Sequence, residues 1–209
     1  MDEYLTEKEQ WERLLASLRE QAPWGAAGVA VVAAGFGGWH YWQARTEHRA
    51  LEAAAMYQQV LDAFTHNDLA GGVKLADGLV KQFGASAYSD QANLAVARVQ
   101  AENQQFDLAA ARLTQVIGST RDHALALAAR LRLARVQLSQ GKPDEAIKTL
   151  DATEPGAFAA RYAELRGDAL LAKGDRDGAL KQYRSARASG SDTVDAELLD
   201  LKISELAHS

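Results

Sequence analysis

Charged residues vanish from the chain between Gln21 and Ala44. Inside that gap an apolar run extends from Trp24 to Trp42 and is dominated by alanine, glycine and valine. At 1.5 Å per residue, its nineteen residues make a helix about 28 Å long, which matches the hydrocarbon thickness of a bilayer. Trp24 marks one end; Trp39, Tyr41 and Trp42 mark the other. Indole rings favour the headgroup level, so this placement fits an aromatic belt. A core helix of a soluble protein would be as apolar, but it has no reason to carry tryptophan at both ends. The pattern therefore predicts a cytoplasmic N-terminal segment over 1–22, a transmembrane signal-anchor helix over 23–43 and a helical domain over 45–209.

The twenty residues before the run hold six acids and only three bases, Lys8, Arg13 and Arg19. A cleaved signal peptide has a short basic start, so a retained anchor is the better reading. Thr6 and Glu9 have capping-box spacing, which predicts a short helix over Thr6–Glu20, and Pro23 suits the start of another. Arg45 and Arg49 follow the run. Three cations before against two after is a thin margin that favours the N-terminus inside. Ala22, Ala26, Ala30, Ala34 and Gly38 recur every fourth residue. They form a ridge of small residues on which another membrane helix could pack closely, although glycine and alanine are common in membrane helices anyway.

Beyond Arg45 the period changes. Helical stretches alternate with short turns of Gly, Asp and Asn, and almost no strand signal is present. Arg45 to about His66 reads as a continuation of the membrane helix into solvent. Leu127, Leu131, Ala134 and Leu138 share one helical face, as do Phe158, Tyr162, Leu165, Ala169 and Ala172. Gly141 and Gly174 end these two helices, and Pro143 opens the next after the first of them. A repeat then emerges: Asp107 with Ala109 and Leu113, Asp144 with Ala146 and Leu150, Asp177 with Ala179 and Tyr183. The alanines are 37 and 33 residues apart (146 − 109 and 179 − 146). Ala70 is a candidate for an earlier, degenerate copy. The unit is helix, tight turn, helix. One such pair cannot bury its apolar face, so neighbours must stack. Ser191 to Thr193 starts a last helix whose Val194, Leu198 and Leu201 are expected to face inward.

Composition agrees. Hydrophobic residues make up 47% of the chain and aromatics only 7%, a mix that favours helices. The net charge of −5 leaves no basic footprint for nucleic acid. The absence of cysteine removes thiolate metal sites, disulfides and thiol nucleophiles together.

The repeat unit resembles the tetratricopeptide repeat. Gly167, Gly174, Ala179, Tyr183 and Ala186 match the consensus positions in the last copy; Leu133, Ala134, Gly141 and Ala146 match in the one before. The copy around Ala109 lacks the glycine. The order of features resembles the YfgM family: an acidic start, a Gly/Ala-rich span ending Gly37-Gly-Trp39-His-Tyr41-Trp42, then degenerate repeats that include Leu131–Gln137 and Leu165–Asp175. That resemblance implies an all-α fold, with a single transmembrane helix followed by a tetratricopeptide-like helical repeat solenoid. It further implies a bacterial inner-membrane protein with its C-terminal domain in the periplasm. Implied partners are the SecYEG translocon and a membrane-anchored periplasmic chaperone of the prolyl-isomerase type, and the implied role is handing emerging secreted proteins to chaperones.

Nothing in the chain spells catalysis, and no cofactor or small-molecule substrate is expected. The five histidines form no metal-binding pair at helical spacing. Gly35, Gly37 and Gly38 lack the strand and the lysine of a phosphate loop. What remains is surface. In a tetratricopeptide stack the first helices of successive pairs line a groove, which here is expected to present Leu94, Arg98, Leu131, Arg135, Glu164 and Asp168. Such a groove could hold a peptide or be filled by the protein's own helices. A scaffold for envelope-complex assembly or stress signalling, independent of the translocon, is the alternative function; an enzyme would need a deep pocket of perturbed ionisable groups.

Overall fold

The computed structural model describes the backbone of residues 7–190 and 193–207; side chains are described at Trp11 and, within those bounds, from Val31 onward. The described secondary structure is helical: α1 (Glu7–Thr65), α2 (Leu69–Phe83), α3 (Ala87–Glu102), α4 (Phe106–Ser119), α5 (His123–Ser139), α6 (Pro143–Asp151), a 3-10 turn (Gly156–Phe158), α7 (Ala159–Ala172), α8 (Arg176–Ala188) and α9 (Ala196–Ala207). No strand occurs among the described residues. The chain divides into two compact units, Met1–Leu51 and Glu52–Ser209.

In the first unit, the capping residue Thr6 lies outside the described residues. Pro23, read from sequence as a helix start, lies within α1 instead. Proline deletes one backbone donor, and the helix continues past that gap. The side chains from Val31 to Trp42 are exposed, among them Val31, Val32, Phe36, Trp39, Tyr41 and Trp42. Among the described residues no helix is long and apolar enough to cross a membrane. The first part of the expected span, 23–30, falls outside the described side chains.

The second unit is a stack of helix pairs: the end of α1 with α2, α3 with α4, α5 with α6, and α7 with α8, closed by α9. One turn geometry repeats at every pair. Asn67, Gln104, Gly141 and Gly174 each take a left-handed backbone conformation, with φ of 63°, 60°, 71° and 85°. Each is followed by the N-cap of the second helix: Asp68, Gln105, Lys142 and Asp175. The spacings are 37, 37 and 33 residues (105 − 68, 142 − 105, 175 − 142). Glycine adopts this conformation without a Cβ penalty, whereas Asn67 and Gln104 adopt it at a cost.

From each turn the second helix sends the same face inward. Gly72, Ala76 and Leu79 of α2 are buried, as are Ala109, Leu113 and Val116 of α4, Ala146 and Leu150 of α6, and Ala179, Tyr183 and Ala186 of α8. The first copy of the repeat is thereby aligned on Gly72, two residues past the Ala70 expected from sequence. The physical reason is a close crossing: a Cβ on Gly72 would lie 2.3 Å from the Phe64 ring of α1. The small-residue position is glycine because an aromatic side chain fills the space.

The final helix also differs from expectation. Asp195 caps it, accepting hydrogen bonds from the N–H groups of Glu197 and Leu198. Leu199 is the buried residue, with Val194, Ile203 and Leu206 packed around the same core, while Leu198 and Leu201 are 42% and 55% exposed. The stripes 194/198/201 and 199/203/206 have the same helical spacing. Packing on Tyr183 and Ala186 selects the second and turns Lys202 toward α7.

Candidate functional site

The end of α1, α3 and α5 enclose the concave side of the stack as a cleft of about 750 Å³. Tyr57, Leu61 and Phe64 form one wall. These three fall at i, i+4 and i+7, so α1 presents a single stripe to the cleft. Leu94 and Ala97 of α3 line it as buried core residues, and Val136 of α5 continues the apolar lining. At the mouth stand Arg98 and Glu102 of α3 and Arg132 and Arg135 of α5. The Arg98 Nε donates to Glu102 Oε1 at 2.8 Å across one helical turn, and this bond holds the guanidinium above its ordinary value. Arg132 and Arg135 are exposed, three residues apart on one face of α5.

At the other end of the stack, α9 occupies the concave face of α7. Lys202 Nζ donates to Glu164 Oε1 at 3.1 Å and to Asp168 Oδ1 at 2.8 Å. The Tyr183 hydroxyl donates to Asp168 Oδ1 at 2.8 Å, and the ammonium stands 5.2 Å from the Tyr183 ring centroid. Burial works against the charge on Lys202, yet the two carboxylates outweigh it and hold the ammonium above its ordinary value. Burial and then Asp168 push the Tyr183 hydroxyl well up. Every group here is matched, so this end is closed rather than open to a ligand.

The residues expected on the groove thus divide. Leu94, Arg98 and Arg135 meet at the cleft. Leu131 is in the core beneath Tyr162 and Leu165. Glu164 and Asp168 hold Lys202. Of the small-residue ridge, Ala34 and Gly38 are exposed, and nothing lies within 4 Å of where a Cβ on Gly38 would stand. Ala26 and Ala30 lie outside the described side chains.

Sequence reasoning passed over five residues. Tyr57, Leu61 and Phe64 were hidden because the stretch reads as a membrane-helix extension; their stripe was the available signal. Arg132 stands where Leu131 was placed, one residue away. Lys202 had no signal at all, since only the docking of α9 aims it.

Among the described residues no group of three or more His, Cys, Asp or Glu side chains converges as a metal site. The cleft is an apolar trough with guanidinium groups at its rim.

Comparison with known proteins gives this surface a family. The tetratricopeptide repeat-like domain model matches residues 19–208. The ancillary SecYEG translocon subunit of Escherichia coli is 30% identical over 99% of this chain and 100% of its own length. The chain belongs to the ancillary SecYEG translocon subunit family, the YfgM family. Other members of the YfgM family extend the match: the Haemophilus influenzae protein is 31% identical over 82% of this chain and 83% of its own. The Neisseria gonorrhoeae protein is 26% identical over 99% and 100%. Two solved structures share the fold of this YfgM-family chain. MamA RS-1, an ArsTM double mutant, has a TM-score of 0.55 and 14% identity, covering 74% of this chain and 94% of its own. A Podosopora anserina kinesin light chain candidate with nearly identical TPR-like repeats also scores 0.55, at 15% identity, covering 74% and 84%. At these identities the likeness concerns architecture alone: an all-helical repeat solenoid of the tetratricopeptide type.

Proposed function

We propose that this chain is a membrane-anchored, non-enzymatic interaction subunit of the SecYEG translocon. Its repeat body passes emerging secreted proteins to periplasmic chaperones, including one of the prolyl-isomerase type. The observation that carries this reading is the match, over nearly its whole length, to a relative of that name, joined to an open concave cleft with a largely apolar lining. Anchoring is supported by residues 31–42 of α1, where apolar and aromatic side chains are exposed on all sides of the helix. Such a surface calls for lipid or another protein around it. On this reading the N-terminus is cytoplasmic, the body is periplasmic, and the ridge of Ala26, Ala30, Ala34 and Gly38 is where a translocon helix packs.

Co-purification of the full chain from gently solubilised inner membranes tests it. SecYEG subunits and a membrane-anchored chaperone are expected to come down with the wild type. Ala34→Leu combined with Gly38→Leu is expected to release the translocon. Absence of translocon subunits from the wild-type eluate would defeat the reading.

A further inference from the structure

The two ends of the concave face are electrically opposite in their state of completion. Several interhelical cations of the body are matched to carboxylates: Arg112 to Asp77, Lys173 to Asp144, Arg187 to Asp200 and Lys202 to Glu164 and Asp168. At the cleft the balance is different. Its charged rim consists of Arg98, Arg132, Arg135 and Glu102, and the single carboxylate is already taken by Arg98. Arg132 and Arg135 therefore stand over an apolar trough with no acidic partner in the rim. This local excess of positive charge occurs in a chain whose net charge is −5.

We infer that the cleft selects acidic–apolar polypeptide segments, in which carboxylates meet Arg132 and Arg135 while leucine- or phenylalanine-like side chains enter between Phe64 and Leu94. This rests on the interaction-subunit reading and names the chemistry of what that subunit holds. Guanidinium groups favour carboxylates because their planar N–H forks match two oxygens at once. Position adds to this: at the lip of a low-dielectric trough the attraction is screened less than on a flat surface. Basic segments, common at the start of exported chains, meet repulsion at the same rim. A polypeptide fits better than a membrane surface, since the trough is concave and walled by three helices, whereas a bilayer needs an outward-facing patch.

Fluorescence anisotropy on the full-length chain in non-ionic detergent tests the inference. The probes are three short fluorescein-labelled peptides of alternating leucine with glutamate, glutamine or lysine. The glutamate peptide is expected to bind about tenfold more tightly than the glutamine peptide, with the lysine peptide weakest, and the preference is expected to shrink as salt rises. Arg132→Gln with Arg135→Gln is expected to abolish the difference between the peptides while leaving the melting midpoint unchanged, since both side chains are exposed. Equal binding of all three peptides, or binding of none, overturns the proposal. So does displacement of a bound glutamate peptide by phosphatidylglycerol added to the detergent micelles, if the double variant no longer binds that lipid, which would assign the arginines to lipid. Translocon co-purification of the same double variant separates the two readings. Retained translocon with no peptide preference sinks only the charge selectivity; intact peptide preference without translocon in the wild type sinks only the assignment to SecYEG.

Discussion

The Tyr183 ring of α8 lies directly on Gly167 of α7, so that a Cβ built at Gly167 would stand 2.5 Å from Tyr183 Cε1. No rotation about that Cβ relieves the clash, and the ring is pinned in turn by the hydrogen bond from its hydroxyl to Asp168. Gly167→Ala is therefore expected to destabilise the repeat body by about 1–3 kcal/mol, the usual range for overpacking. Thermal unfolding of the full chain checks it, with Gly118→Ala as the comparison, because Gly118 has open space around it. Gly118→Ala is expected to hold or raise the midpoint, since alanine is the better helix former; an equal gain at both positions would mean that helix propensity alone is being read.

Gln104 occupies the left-handed turn position that glycine fills at Gly141 and Gly174. Gln104→Gly is expected to stabilise the body by about 0.5–1 kcal/mol, since relief of the backbone strain exceeds the added freedom of the unfolded chain. For a domain of this size that is a rise of roughly 1–4 °C in the melting midpoint. Gly174→Gln at the equivalent turn is expected to lower it.

Asp68 and Asp175 cap α2 and α8 by accepting from the N–H groups of Gly71 and Gly178, both at 2.9 Å. Each carboxylate fills the space a side chain on its glycine would need. Asp175→Ala is expected to cost about 1 kcal/mol, and Asp175→Asn a small part of that, because the amide oxygen still accepts. Chemical denaturation of the two variants distinguishes capping from simple charge.

Lys202 joins α9 to Glu164 and Asp168. Lys202→Met is expected to leave two carboxylates one turn apart without a counter-ion, and to raise the hydrogen-exchange rate of α9 amides by about tenfold or more. The core helices α4 and α5 are expected to keep their protection. Unchanged exchange in α9 would show that the packing of Leu199, Ile203 and Leu206 and the Arg187–Asp200 pair secure it without Lys202.

Alkaline pH acts on the same cluster. Both Tyr183 and Lys202 have folded-state values raised above their ordinary values of 10.0 and 10.5. A raised value means the folded state keeps its proton longer than the unfolded chain. Stability from both groups is thus complete below pH 10.0 and declines as pH climbs from there toward the folded-state values. Denaturant midpoints measured from neutral pH upward are expected to fall above that point, and Tyr183→Phe is expected to make the fall shallower. A wild-type midpoint that stays flat into the alkaline range would remove this account.

The amino-acid sequence by itself determined the helical period, the pairing of helices and the register of the last two repeats. Those features depend on local chemistry: Gly141 and Gly174 permit the turn, Pro143 opens a helix, and Ala146 and Ala179 allow close approach at the second-helix crossings. It also marked the uncharged, tryptophan-flanked stretch before Arg45. Tertiary structure decided the rest. Gly72, rather than Ala70, anchors the first repeat because Phe64 occupies the space above it. Leu199, rather than Leu198 and Leu201, faces inward because two stripes of equal period compete and only contact with Tyr183 and Ala186 breaks the tie. That choice sends Lys202 to Glu164 and Asp168, closing one end of the concave face, while Arg132 and Arg135 remain at the other. A helical pattern states which residues share a face; which face meets a neighbour depends on helices distant in the chain, and no local spacing carries that information.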